Sequence, residues 1–368
     1  MATITESRLK SSDQPITPPL DGRKNERNLS FDIIRIVAVL AVVMIHASAE
    51  FVISYDTSSP EFFWGNIFNG ISRIGVPFFL MVSGALLLDE NHNFSIKRLF
   101  SRNIKNIVLL LIFWAVFYSF VYQVALPILY GDTVSFKVFA YSALMGHFHM
   151  WYLYMIVGLY LITPFLRAFV KKENKHLILL FVILSVLTQL SKPILVGLSV
   201  FWDDAKHLVT FIDKFYLDFF GGYVTYYVVG WYIAHVGIKK KWGIYCIGAV
   251  SLLAAIAFVF ATKDYSNGYS EQSALVLFYS AAVFTVLNRE GKWKLSERTR
   301  NIIRKLSALS FGVYIVHPLF QTLISKFFEY SKAPLVYILL YFGMLAGFSF
   351  VSCFVLSGIP FLKKLIRA

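Results

Sequence analysis

Apolar runs of about 20 residues, each long enough to cross a hydrocarbon core of roughly 30 Å as a helix, alternate with short polar connections along nearly the whole chain. Reading the runs in order predicts ten helical spans, near residues 30–52, 64–88, 106–130, 148–168, 176–191, 217–238, 242–262, 271–288, 307–327 and 334–360, the fifth being the shortest. The pattern is that of an all-α, polytopic membrane protein. Residues 30–362 form the ten-helix membrane domain, and 363–368 a short basic end. The polar stretch 1–29 holds Pro15, Pro18 and Pro19 and reads as a flexible cytoplasmic tail. The connection 192–216 reads as a loop.

Charge in the connections tests this count independently. Of the 35 Lys and Arg, 26 fall in the tail, in alternate connections and at the far end: Arg8 to Arg27, Lys97 to Lys105, Arg167 to Lys175, Lys239 to Lys241, Arg289 to Lys305 and Lys363 to Arg367. Only seven fall in the other connections: Lys137, Lys192, Lys206, Lys214, Lys263, Lys326 and Lys332. The positive-inside rule then places both termini in the cytoplasm. The same distribution accounts for the net charge of +14 without a nucleic-acid partner, because the basic residues are short clusters flanking helices. A chain that is 57% hydrophobic and 17% aromatic is not a soluble domain.

Two basic residues remain, Arg35 and Arg73, and both lie inside apolar runs. A guanidinium at the bilayer centre costs about 2.5–3.5 kcal/mol on insertion scales, so an intramembrane arginine marks a functional site by default. Asp32 stands three residues before Arg35, where its carboxylate can meet the guanidinium. His46 follows Arg35 by eleven residues; at 100° each these return to within about 20° of the same helix face, some 16 Å further along. Glu50, one turn above His46, can orient its ring or simply be a solvated helix end. In the second span Pro77 lacks the N–H that would meet the carbonyl of Arg73, which predicts a kink at that arginine, at a depth close to that of His46.

Two further motifs carry histidine. His147-Phe148-His149-Met150-Trp151 opens the fourth span and alone is an interfacial aromatic belt. His317-Pro318 in the ninth span is a kinked histidine near the midplane, equally consistent with a structural role. There is no Walker loop, dinucleotide fingerprint or His-Glu-x-x-His, and no metal is expected.

Taken in order, "FDIIRIVAVLAVVMIHA", "SRIGVPFFLMVSGALL", "HMWYL" and "LSFGVYIVHPL" resemble the integral-membrane acyltransferases of family 3, which O-acylate bacterial surface polysaccharides. The branch that O-acetylates enterobacterial common antigen and similar polymers looks closest. The resemblance implies a multi-pass protein of the bacterial cytoplasmic membrane, with acetyl-CoA or a related acyl-CoA on the inner side. Its other partner is a carbohydrate hydroxyl on the outer side. Arg35 and His46 match the family's Arg-x10-His pair. The expected roles are His46 and Arg73 in catalysis, Arg35 and Asp32 in donor binding, and His149, Trp151, His317 and Glu50 at the acceptor. The chain departs from the family's frequent Leu-Arg-Gly in reading Ile34-Arg35-Ile36.

The chemistry is consistent with these residues. A hydroxyl acceptor needs a base, for which histidine is the usual choice, and a buried guanidinium suits a developing oxyanion. The competing reading is a secondary transporter for a polysaccharide intermediate or organic anion, which intramembrane Arg and His in kinked spans also fit. The absence of repeat-related halves counts against it. A non-catalytic scaffold would leave both arginines unexplained.

Overall fold

The structure, a computed structural model, describes residues 28–91, 94–198, 202, 204–215, 221–289, 293–325 and 333–367. Residues 1–27 of the expected tail and Ala368 lie outside that set. Among the described residues the regular structure is entirely helical, and each of the ten expected spans contains a helix.

Helix α1, Leu29–Ser54, runs unbroken for 26 residues because no Gly or Pro interrupts it, and Asn28 caps its start by accepting from the Ser30 amide. The second span divides into α2, Pro60–Ser72, and α3, Gly75–Leu87. The break falls at Arg73–Ile74, as the missing N–H of Pro77 requires. Next comes α4, Ile96–Tyr130, which holds two wide π turns at Leu99–Ile104 and Val121–Ala125. Helix α5, Phe136–Met145, is joined through Gly146 and a 3-10 turn, Phe148–Met150, to α6, Trp151–Phe169. Helix α7 covers Lys175–Leu198 and α8 Ala205–Asp213. The connection read as a loop therefore carries a helix, one too short and polar to resemble a span. Then follow α9, Tyr223–His235; α10, Lys241–Thr262; α11, Ala274–Leu287; α12, Glu297–Ile324; α13, Pro334–Ser357; and α14, Pro360–Leu365.

Among the described residues, eight helical segments are long and apolar enough to cross a membrane. The other two, α9 and α11, have 13 and 14 residues, about 20 Å of helix against a core of roughly 30 Å. Both are sheltered by protein. Most of α9 is buried, and it crosses α3 at backbone contact: a methyl group on Gly84 would overlap the Tyr227 carbonyl, and one on Gly230 the Met81 carbonyl. Small residues permit such approach between membrane helices.

Contacts at helix ends define the two ends of the bundle. At one, Arg167 donates to the carbonyls of Leu87 and Asp89 (2.6 and 2.7 Å), His235 meets Asp89 at 4.0 Å, and Ser30 accepts from Arg289 and Trp293. These are the neighbourhoods of the basic clusters. At the other, Lys263 pairs with Asp56 at 3.7 Å and Arg73 with Glu271 at 3.7 Å.

Candidate active site

A cavity of about 680 Å³ opens at the basic end. Arg35 lines it and sits 3.7 Å from Asp32, which is fully buried and accepts from the Ser307 hydroxyl at 2.7 Å. The i,i+3 pairing expected from the sequence is thus present, with a third partner from α12. The remaining wall comes from α3 (Phe79, Ser83), from α4 (among others Arg98, Arg102, Asn103 and Asn106), from α6 (among others Tyr152 and Tyr160) and from α12 (among others Ser310 and Tyr314), with Arg367 following α14.

Tyr152 and Tyr314 close the inner end. Their rings are 5.5 Å apart, and Tyr314 donates to the His149 carbonyl at 2.5 Å. Behind them stand four histidines from three elements. His46 of α1 lies 5.0 Å, ring to ring, from His317 of α12, which lies 5.7 Å from His149. His147 joins through a 3.0 Å contact between its Nδ1 and that of His149. Its ring stacks on Tyr118 at 4.5 Å and Tyr122 at 4.8 Å. Among the described residues no cluster of three or more His, Cys, Asp or Glu has metal-binding geometry.

Pro318 sets the chemistry of its neighbour. Proline leaves the Tyr314 carbonyl without its helical donor, and His317 Nδ1 donates to that oxygen at 2.7 Å. The proton is thereby held on Nδ1, and Nε2 is left as an acceptor. Among the described residues the buried Nε2 atoms of His317 and His149 have no hydrogen-bond partner. Each such atom costs about 1–3 kcal/mol, which is poor economy for a structural cluster and suits one that meets a substrate.

Arg73 sits on the far side of His46. Its Nε and Nη2 donate to Asn69 Oδ1 at 3.0 and 2.5 Å, its Nη1 lies 3.7 Å from Glu271, and it stands over the Tyr269 ring at 5.2 Å. Asn69 in turn donates to the Ile45 carbonyl at 3.0 Å and to Ser48 Oγ at 3.1 Å, on the turn of α1 that bears His46. Arg73 is therefore tied to the His46 turn through one amide, not placed among the rings.

Of the residues expected from the sequence, Arg35 and Asp32 meet at the cavity, and His46, His149 and His317 meet in the cluster. Trp151 is exposed and packs on Tyr223 at 5.6 Å; Glu50 is exposed, accepting from Ser54 at 2.6 Å. Neither contacts the rings. Sequence reasoning passed over Glu271, Ser307 and the side chains of Tyr152 and Tyr314, whose partners are distant in the chain, and also Asn69, which links Arg73 to the α1 turn that bears His46. His147 alone had a signal, its position two residues from His149.

A family model described as an acyltransferase domain, the third of its series, matches residues 28–356. No curated protein and no solved structure matches the chain.

Proposed function

The chain belongs to acyltransferase family 3 and is a membrane acyltransferase; from that premise we propose that it moves an acetyl group from cytoplasmic acetyl-CoA to a hydroxyl of a cell-surface polysaccharide or lipid-linked glycan. On this reading it resides in the bacterial inner membrane, with both termini and the basic end of the bundle in the cytoplasm. The acceptor enters from the opposite side.

What supports this reading is one arrangement: Tyr152 and Tyr314 line the arginine-bearing cavity at the basic end, and the histidine cluster containing His46 packs against Tyr314 through His149 and His317. A polyanionic donor fits the mouth, and an arm reaching inward would present its thioester near the cluster, some 16 Å beyond Arg35 along α1. Arg35, held by Asp32, binds the donor near the entrance. His46 takes the proton of the acceptor hydroxyl as its oxygen attacks the thioester carbonyl carbon; the C–O bond forms, the C–S bond breaks, and the proton passes to the leaving thiolate. His317, with Nδ1 committed to Tyr314, offers Nε2 as a second acceptor beside His46. Arg73 supplies positive charge on the acceptor side of His46. His149 joins the cluster beside His317, and on this reading Trp151 and Glu50, both exposed and apart from the rings, belong to the acceptor's approach.

Purified protein in detergent, given acetyl-CoA and followed for free thiol, tests the reading. Release of CoA by hydrolysis or by transfer to an added glycan is expected. Absence of both CoA binding and thiol release would contradict it.

A further inference from the structure

The mouth of the cavity holds three arginines that the transfer chemistry above does not use. Arg98 and Arg102 come from the start of α4, and Arg367 from the turn after α14. Among the described residues no carboxylate pairs with any of them, whereas Arg35 deeper in has Asp32 at 3.7 Å. Uncompensated like charges around one opening repel, and they focus a positive potential that draws in an anion.

Two local devices hold the three together. The first is the π turn at Leu99–Ile104. At the regular helical step of 100°, Arg98, Arg102, Asn103 and Asn106 would spread over about 140°. The wide i→i+5 turn absorbs one extra residue, and Arg98, Arg102, Asn103 and Asn106 all line the cavity. Such turns recur at functional sites. The second device is an anchor on the segment 360–367. Trp114 Nε1 donates to the Leu365 carbonyl at 2.9 Å, and Ile366 is 1% exposed. It is seated against Gly312 of α12, where a methyl group would come within 2.9 Å of the Ile366 side chain. Leu365 and Ile366 are thus pinned to two spans, and the next residue, Arg367, is delivered to the mouth.

The reacting end of a donor must reach the histidines, so its opposite end stays at the mouth. In an acyl-CoA that end carries a diphosphate and a ribose 3′-phosphate. Guanidinium groups bind phosphate bidentately, with a geometry that lysine does not reproduce. We infer that Arg98, Arg102 and Arg367 form a phosphate-reading site for the 3′-phosphorylated nucleotide end of the donor. The segment 360–367 is on this account part of the donor site, and it selects CoA esters over thioesters that lack the 3′-phosphate. The inference rests on the acyl-CoA reading of the same cavity.

The test is calorimetric titration of the purified full chain in detergent with CoA and with dephospho-CoA, for the wild type, Arg367→Gln and Arg102→Gln. The wild type is expected to bind CoA roughly ten-fold or more tighter than dephospho-CoA, the scale of a charge-assisted bond. Each substitution should bring the CoA affinity down toward that of dephospho-CoA, with the latter changed far less. Arg367 is exposed, so its replacement should leave the melting temperature in place, and Arg102→Gln provides a second variant on another element. Equal affinities in the wild type, or a preference that survives Arg367→Gln, would overturn the inference while leaving the donor cavity intact. No binding of CoA by the wild type would overturn the acyl-CoA reading itself.

Discussion

Replacing Asn69 perturbs the one amide that joins Arg73 to the His46 turn. Asn69→Leu keeps the branching and heavy-atom count of the side chain and removes four bonds, two donated to Ile45 and Ser48 and two accepted from Arg73. On the scale of water-soluble proteins, two neutral bonds at about 1 kcal/mol and a charged pairing at about 1.5–3 would sum to about 3.5–5 kcal/mol. Between membrane helices, measured couplings average only about 0.6 kcal/mol and reach about 1.7, because the unfolded state in the bilayer also finds partners. The second scale applies here and gives about 2–3 kcal/mol for the four bonds, a fall in melting temperature of roughly 3 °C for a chain of this length. If the amide also positions His46 relative to the acceptor, kcat should drop by roughly ten- to hundred-fold, the effect of an ångström-scale misplacement, with KM for acetyl-CoA little changed. Asn69→Asp separates the two halves of the network. It keeps an acceptor for Arg73 but turns a carboxylate oxygen toward the Ile45 carbonyl, so it should melt low and transfer slowly as well. The assay pairs thermal unfolding in detergent with acetyl-transfer kinetics. A purely packing role would lower the melting temperature alone, and an Asn69→Leu protein with unchanged melting and unchanged kcat would refute the reasoning.

Arg35→Ala should weaken CoA binding while the protein remains monodisperse, and Arg35→Lys should not restore it, since lysine lacks the bidentate fork; unchanged CoA affinity in both would reduce Arg35 to a partner of Asp32. Gly84→Val should lower the melting temperature or the yield of folded protein, by more than the 1–3 kcal/mol (approximately) typical of overpacking, because the added carbons meet Tyr227 backbone. Gly343→Ala, facing open space, should change little. Reporter fusions after Lys241 and Arg298 should read cytoplasmic and one after Asp264 external, and a cytoplasmic signal at Asp264 would contradict the proposed topology.

Local features were legible in the sequence, and convergent ones were not. The Asp32–Arg35 pair depends on three residues of one helix, and the break at Arg73 on a proline four residues away, so both follow from helix geometry alone. Apolar runs marked a helix in each of the ten expected stretches, yet they could not separate lipid-facing helices from protein-buried ones. Residues 217–238 and 271–288 read as full crossings, whereas α9 and α11 are short and enclosed. The histidine cluster requires α1, the turn before α6 and α12 to meet. His149 and His317 each had a bland reading in isolation, and only their nearness to His46 changes it. Glu271, which pairs with Arg73 across 198 positions of sequence, left no signal that spacing could show. Likewise Arg98, Arg102 and Arg367 first read as topology signals, since a charge cluster at a span's end does not reveal which residues turn inward.

The most direct test of the central claim is a strain carrying His46→Gln, in which both the amount of surface polymer and its O-acetyl content per sugar are measured. Glutamine can hydrogen-bond but cannot take the hydroxyl proton. The account predicts normal polymer at the surface with its O-acetyl groups missing. A transporter predicts the reverse, with polymer lost and acetyl content per exported sugar unchanged. Normal acetylation with His46 replaced would contradict the account.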